Sequence, residues 1–127
     1  MLTDAPVRAT IAVRDKETAK RFFGEGLGLK LVDENPVGMS FECGQGTFLE
    51  VYPTEFAGSA KNTVAGFQVD DLEATMDSLR GRGIKFEEYD LPNLKTENGI
   101  AQLGPNRGSW FKDPDGNTFA LVELARS

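Results

Sequence analysis

The sequence contains no histidine among its 127 residues. Catalytic triads and dyads that use an imidazole are therefore excluded. The commonest metal ligand and the usual general base near neutral pH are absent for the same reason. Any catalysis must rest on carboxylates, tyrosine, lysine, arginine, the single cysteine or a cofactor.

Cysteine is nearly as scarce, because Cys43 is the only one. An internal disulfide is excluded, and we expect a reducing, cytoplasmic compartment. No base for a nucleophilic thiolate can be identified beside it. A small buried hydrophobe is therefore the simpler interpretation of Cys43.

Long apolar runs are also missing from the chain. No stretch of about 18 apolar residues occurs, so the sequence predicts no membrane-spanning helix. Residues 1–6 lack the basic and then apolar pattern of a signal peptide, and we expect none.

Positive charge is in deficit, with 14 lysines and arginines against 20 aspartates and glutamates and a net charge of −6. Because phosphate binding requires a basic patch, this balance disfavours nucleic-acid and anionic-membrane partners. The remaining composition is that of an ordinary globular protein, with 39% hydrophobic and 27% charged residues. The length fits one domain over residues 1–127, or two small modules that share one core.

The strongest local pattern is an Asp-Pro-Asp-Gly-Asn turn at residues 113–117 between two apolar runs. Pro114 fixes φ in the turn, Asp113 can accept from backbone N–H groups, and Gly116 tolerates positive φ. The flanking runs are rich in Phe, Val and Thr, which favour strands. We predict a β-hairpin whose last strand, over residues 117–124, lies inside a sheet.

Periodicity predicts a strand, a helix and three further strands in the first half of the chain. Residues 7–13 alternate apolar and other side chains, as a half-buried strand does. Asp15 offers an N-cap for a helix whose apolar stripe contains Ala19, Phe22 and Phe23. The following strands are predicted over residues 29–33, 39–43 and 48–52.

The same order of elements returns after a polar connection at residues 53–62. A strand is predicted over residues 64–69, a helix capped by Asp71 follows it, and a further strand is predicted over residues 84–88. Four pairs of corresponding positions support a repeat: Val13 with Val69, Asp15 with Asp71, Gly26 with Gly81 and Gly28 with Gly83. The second helix is thus shorter than the first by one residue.

The simplest account of this repeat is an α+β fold of two βαβββ modules, at residues 7–52 and 63–124. Chance similarity of two amphipathic units is the alternative. Each module has one helix for one face of its sheet, so the other face requires a partner. We expect a cupped mixed β-sheet with the helices on its outer face.

A concave, mainly apolar surface with a few polar groups is how proteins hold small molecules. Aromatic side chains in the predicted cup can stack on a flat ligand, although aromatics in strands are often core residues. The candidate ligand-binding residues are Arg8, Thr10, Phe48, Glu50, Tyr52, Gln68 and Trp110.

The second module contains a long, polar-rich segment at residues 90–108. A loop of this length inside a compact domain is often a functional lid. A mobile surface loop is the equally simple alternative. Lys95 and Arg107 in this segment are candidates for contact with a ligand anion, against simple exposure to solvent.

The repeat, the Val-x-Asp helix starts and the Asp-Pro-Asp-Gly-Asn hairpin together resemble the vicinal oxygen chelate superfamily. This superfamily comprises glyoxalases, bleomycin resistance proteins and extradiol dioxygenases. The resemblance covers residues 7–124 and extends to a bacterial branch with Trp-Phe-Lys at 110–112 and Lys-Thr-Glu-Asn-Gly at 95–99. It implies a homodimer, and a divalent metal held by His and Glu on inward strand positions.

Carried onto this chain, the four ligand positions of the family fall at Arg8, Glu50, Val64 and Ala120. A register shifted by one residue replaces Ala120 with Leu121, which also cannot bind a metal. Because one carboxylate does not hold a transition metal in a defined geometry, we expect no family-type metal site and no cofactor.

Arginine at a ligand position is informative, because a bound dication would repel it. We expect Arg8 to form an ion pair with Glu50, or to receive an anionic ligand. The alternative is that Arg8 lies at a strand edge and reaches solvent.

The leading prediction is a metal-free protein that binds a small aromatic or anionic molecule in the cup, as drug-sequestering members do. The alternative is a lyase, isomerase or dioxygenase with an atypical metal or carboxylate site, and Glu50 is then the best catalytic candidate. A third possibility is a regulatory module whose cup is filled with side chains.

Overall fold

A computed structural model describes residues 1–125 of the chain. The chain divides into two compact units, Met1–Ser59 and Ala60–Ser127. The boundary between them falls within the polar connection at residues 53–62. Each unit contains one four-stranded mixed sheet and one main helix. The predicted α+β class is confirmed, and in both units the helix and the strands of the main sheet follow a βαβββ order. None of the helices within residues 1–125 has the length and hydropathy that a membrane-spanning helix requires.

The first unit follows the order β1, α1, β2, β3 and β4. The bounds are β1 Ala9–Val13, α1 Lys16–Lys20, β2 Lys30–Asn35, β3 Gly38–Glu42 and β4 Phe48–Pro53. A π-helix, Arg21–Gly26, continues α1, and short 3-10 turns lie at Leu2–Asp4 and Gly44–Gly46. The strands lie in the order β1-β4-β3-β2, and β1 is parallel to β4 while the other pairs are antiparallel.

Side-chain alternation gives this first sheet one buried face. The apolar residues that face the core are Ile11, Val13, Met39, Phe41, Leu49 and Val51, each at most 3% exposed. The helix contributes Ala19 and Phe23, and the rings of Phe23 and Phe41 have centroids 5.8 Å apart. The residues between them on each strand form the opposite face of the sheet.

The helix of the first unit begins as predicted, at the Asp15 cap. One carboxylate oxygen of Asp15 accepts from the Thr18 backbone N–H at 3.1 Å, which satisfies an otherwise unpaired donor of the first turn. The π-helical turn was not predicted. A π-turn contains one more residue than an α-turn. It therefore takes up the residue by which this helix exceeds the helix of the second unit.

The second unit follows the order β5, α2, β6, β7, β8, β9 and β10. The bounds are β5 Thr63–Gln68, α2 Leu72–Arg80, β6 Asp90–Leu91, β7 Leu94–Lys95, β8 Ala101–Leu103, β9 Asn106–Lys112 and β10 Thr118–Glu123. The main sheet has the order β5-β10-β9-β8, and β5 is parallel to β10. Strands β6 and β7 form a separate two-stranded hairpin.

The core of the second unit combines one helix face with stacked rings. Leu72, Met76 and Leu79 of α2 are buried. Phe111 and Phe119 face each other across β9 and β10 with ring centroids 5.5 Å apart and planes 13° apart. Stacking of this kind adds to the stabilisation from apolar burial.

The predicted hairpin at the end of the chain is present and buried. One Asp113 carboxylate oxygen accepts from the backbone N–H groups of Asp115 at 3.0 Å and Asn117 at 2.8 Å. The other accepts from the Asn117 side-chain amide at 2.8 Å. Gly116 has φ +88°, a value that favours glycine. Burial raises the pKa of the Asp113 carboxyl, and these donors oppose that shift.

The predicted strand at residues 84–88 is wrong. This segment makes one isolated bridge, between Phe86 and Phe111, and a bond from the Glu87 N–H to the Trp110 carbonyl. The reason is that β8 pairs with the first part of β9 and occupies the same edge of the sheet. The second strand of this module is therefore β8, supplied by the long segment at residues 90–108.

Candidate functional site

The face of the first sheet that points away from the core carries most of the predicted site residues. We call it the polar face and define it by Thr10, Ser40, Phe48, Glu50 and Tyr52. The strand register places Thr10 and Ser40 on either side of Glu50, in one row across β1, β4 and β3. Five of the seven predicted ligand-binding residues thus meet here, once Arg8 is included.

Glu50 lies at the centre of this polar face. One carboxylate oxygen accepts a hydrogen bond from the Arg8 guanidinium, and the other accepts from the Ser40 hydroxyl. The hydrogen bond from Ser40 lowers the pKa of the Glu50 carboxyl most, followed by the hydrogen bond and charge of Arg8. The Arg8 and Glu50 side chains are 51% and 28% exposed, so Glu50 is an accessible carboxylate.

Arg8 also contacts an aromatic ring. Its guanidinium carbon lies 4.3 Å from the ring centre of Phe48, within the range of a cation–π contact. The ion pair expected between Arg8 and Glu50 is therefore present, and a ring supports it on one side. The carboxylate and the ring together already hold one organic cation, a guanidinium of the chain itself.

A cavity of about 310 Å³ opens beside Glu50 on the same face. Its polar groups belong to Thr10, Asn35, Ser40, Glu50 and the hydroxyl of Tyr52. The ring of Tyr52 and the residues Val37, Gly38, Met39 and Val51 complete the lining. Ser40 was missed in the sequence analysis. Alternation in the predicted strand at 39–43 could have placed Ser40 on the face opposite the buried Met39, but its position beside Glu50 depends on the register of β3 with β4.

The other two predicted ligand-binding residues, Gln68 and Trp110, belong to the second unit. Gln68 is exposed at the end of β5. Trp110 is 9% exposed and packs with Ala101 and Ala120, while its ring meets the ring of Tyr89 edge-on at 5.7 Å. A role of either residue in ligand binding stays a prediction.

The long segment at residues 90–108 is packed onto the second unit. Leu94 and Leu103 lie against the cluster around Trp110. The Glu88 carboxylate holds the segment in place, since it accepts from the Thr96 hydroxyl at 2.6 Å and from the Gly99 N–H at 2.9 Å. This segment therefore covers apolar side chains of the sheet rather than only crossing the surface.

Arg107, a candidate contact for ligand anions, is already paired. Its guanidinium donates two hydrogen bonds to Glu73, at 2.8 and 2.6 Å, and two to Glu123, at 3.1 and 2.8 Å. Oxygens of Asp71, Glu73 and Glu123 lie within 4.8 Å of one another. Arg107 thus balances a group of carboxylates, whereas Lys95 is exposed.

The sequence matches, over residues 5–121, the family described as Glyoxalase/Bleomycin resistance protein/Dioxygenase superfamily. The chain belongs to this superfamily. The resemblance drawn from the repeat and the hairpin is thereby confirmed.

The chain is also similar to individual proteins and solved structures. The uncharacterized protein YetH of Bacillus subtilis is 27% identical over 127 aligned positions, which cover 89% of this chain and 92% of YetH. A superfamily structure from Sphaerobacter thermophilus is 27% identical, with a TM-score of 0.69 and coverage of 96% and 99% of the two chains. TnmS3 of Streptomyces sp. CB03234, described as an antibiotic binding protein, is 22% identical, with a TM-score of 0.64 and coverage of 96% and 98%.

The residues at the superfamily's metal-ligand positions do not fit a divalent metal. In the first unit, the Glu50 oxygens accept from Arg8 and Ser40, and the Arg8 guanidinium is a cation at the neighbouring ligand position. In the second unit the positions hold Val64 and Ala120, and Ala120 packs in the Trp110 cluster. A lone carboxylate beside a fixed cation cannot form a transition-metal site.

Cys43 shows no sign of thiolate chemistry. It is partly buried, and burial, followed by the charge of Glu42, raises the pKa of its thiol. A raised pKa leaves little thiolate at neutral pH, which is the form that reacts. This placement agrees with its interpretation as a small hydrophobe.

Proposed function

We propose that this superfamily member binds a small, partly aromatic organic molecule on the polar face of its first sheet, without a divalent metal. The observation that carries the proposal is the cavity of about 310 Å³ beside Glu50. Its size lies at the lower end of the range for ligand pockets, and its lining of apolar groups with a few polar ones is typical of them.

The metal-free part of the proposal depends on Arg8. Its guanidinium stands at a position where metal-dependent members have a neutral imidazole, and it is paired with the carboxylate that a metal would need. TnmS3, the antibiotic binding protein, supports sequestration as a function compatible with this fold. We further propose a cytoplasmic homodimer, as the resemblance implies.

Catalysis with Glu50 as a general base is the weaker candidate. A base works best when its pKa lies near the operating pH. The hydrogen bonds from Ser40 and Arg8 lower the pKa of Glu50 instead, so its carboxylate is a poor proton acceptor. A carboxylate whose pKa is lowered in this way suits recognition of a ligand better than proton transfer.

Isothermal calorimetry with aromatic probes, combined with metal analysis of the purified protein, tests the proposal. We expect saturable binding of tryptophol, an indole alcohol, that is unchanged by a chelator. Tyr52→Ala should weaken this binding, because Tyr52 lines the cavity, whereas Phe56→Ala, an exposed aromatic outside the lining, should not. The proposal fails if no member of an indole probe set binds, or if binding requires a stoichiometric metal.

A further inference from the structure

The charge of the cavity on the polar face restricts the class of its ligand. Among the residues of the described chain that line it, Glu50 is the only charged one. Its other polar groups are the hydroxyls of Thr10, Ser40 and Tyr52 and the amide of Asn35. All of these can accept hydrogen bonds, and none carries a positive charge. Because the hydroxyls and the amide can also donate, they do not select the charge of a ligand. The carboxylate of Glu50 does, and it favours a positively charged donor.

Glu50 has acceptor capacity left for a ligand. An ionised carboxylate offers about four lone-pair positions. Arg8 and Ser40 use one on each oxygen. A ligand group that donates hydrogen bonds can occupy the others without displacing either side chain.

The Arg8 guanidinium and a cationic group of a ligand would approach Glu50 from different directions along β4. Phe48, which carries the Arg8 guanidinium on its ring, precedes Glu50 on the same face of the strand. Tyr52 follows Glu50 on that face and lines the cavity, whereas Arg8 and Phe48 do not. The side of Glu50 toward Tyr52 is therefore the one open to a ligand.

We infer that the ligand of this cavity carries a protonated amine, which donates to Glu50 while its aromatic or apolar body lies against Tyr52 and Val37. This inference rests on the proposed function and names the class of molecule that the cavity selects. Tyr52 and Val37 are 37% and 79% exposed, so they offer uncovered apolar surface beside the charge. An anionic ligand would instead meet a carboxylate of the same sign, which discriminates against it.

Three probes of the same shape test the inference by calorimetry on the full chain at neutral pH. Tryptamine, tryptophol and indoleacetate share an indole ring and differ in carrying an ammonium, a hydroxyl or a carboxylate. A hydrogen bond to a charged group contributes more than a neutral one, so tryptamine should bind about tenfold or more tighter than tryptophol. Indoleacetate should bind the weakest of the three.

The matched variants are Glu50→Gln and Glu42→Gln. Glu50→Gln keeps the shape of the side chain and removes its charge, so tryptamine should lose its advantage over tryptophol. Glu42 is exposed on β3, beside Phe48 in the register and outside the cavity lining, and its replacement should leave the ratio unchanged. If Glu50→Gln does not fold, backbone NMR of the wild type supplies the test, because tryptamine should shift the Ser40 and Tyr52 signals.

The outcomes separate this inference from the function on which it rests. If tryptophol and indoleacetate bind as tightly as tryptamine, or if Glu50→Gln leaves the ratio intact, the amine inference is overturned and small-molecule binding stands. The same holds if tryptamine shifts signals elsewhere and not those of the cavity. If none of the three probes binds, the proposed function fails, and the inference fails with it.

Discussion

Arg8 and Glu50 form an ion pair between the residue that precedes β1 and the middle of β4. At two positions where the resemblance places metal ligands of the superfamily, we propose that this pair takes the place of a bound dication. Both side chains remain partly exposed, so the pair is one that solvent and ligands can reach.

Arg8→Ala provides the first prediction. Because Arg8 shares the Glu50 carboxylate with the proposed amine, its removal should tighten tryptamine binding. An exposed ion pair contributes at most about 1 kcal/mol, so the gain should be about two- to fivefold. Arg21→Ala, on an exposed position of the π-helix, is the matched control. A selective loss of indoleacetate binding would instead make Arg8 an anion receptor, the alternative raised by the sequence.

The second prediction concerns the acid stability of the second unit. Hydrogen bonds from Arg107 lower the pKa of Glu73 from its ordinary 4.5 to about 2. A carboxyl with a depressed pKa in the folded state stabilises the fold above the unfolded pKa and loses that contribution as the pH falls toward the folded one. The stabilisation from Glu73 should therefore be full above about pH 5 and disappear as the pH falls toward about 2.

Urea unfolding of wild type and Glu73→Gln across this range checks the prediction. On acidification, the free energy of unfolding of the variant should decrease less than that of the wild type. Glu55→Gln, an exposed carboxylate of the first unit, should retain the wild-type profile. Identical pH profiles for Glu73→Gln and wild type would contradict the assignment.

Much of the first unit could be predicted because its signals are local. Alternation along β4 places Glu50 and Tyr52 on one face of that strand, and alternation along β1 separates Thr10 from the apolar Ile11 and Val13. The cap at Asp15 needs only a backbone N–H three residues later. The ion pair of Arg8 with Glu50 is different, because it was expected from the resemblance, which puts both residues at ligand positions of the superfamily.

What could not be predicted depends on contacts between distant residues. The segment at 84–88 has a strand-like sequence, yet the strand that pairs with this edge of β9 is β8, which comes from the long segment at residues 90–108. Tyr89 and Leu94 pack against the cluster that contains Trp110, and no periodic pattern of apolar residues in the sequence indicates this contact. The unequal lengths of the two predicted helices were a signal for the π-helix at Arg21–Gly26. The alignment of the two repeats does not show, however, which turn of the first helix accommodates the extra residue.

That extra residue gives the third prediction. Deletion of Glu25, an exposed residue of the π-turn, should convert the turn to α-helix and keep the following residues in register. The variant should fold with a loss of only about 1–2 kcal/mol, within the usual range for single mutations. Deletion of Ser78, exposed in the regular helix α2, rotates everything after it and should abolish folding. Circular dichroism and urea unfolding distinguish the two, and equal damage in both deletions would contradict the interpretation.

The fourth prediction uses a glycine in the wall of the proposed binding cavity. A Cβ added to Gly38 would lie 2.6 Å from the Val51 carbonyl oxygen and 3.2 Å from the Tyr52 Cβ, so β3 must move away from β4. Overpacking of this kind destabilises by about 1–3 kcal/mol. Because Gly38 and Tyr52 both line the cavity, Gly38→Ala should weaken tryptamine and tryptophol binding together. Gly44→Ala, where a Cβ meets nothing within 4 Å, should change neither stability nor affinity. Calorimetry and urea unfolding measure both quantities, and a Gly38→Ala protein with full affinity for both probes would place the ligand elsewhere.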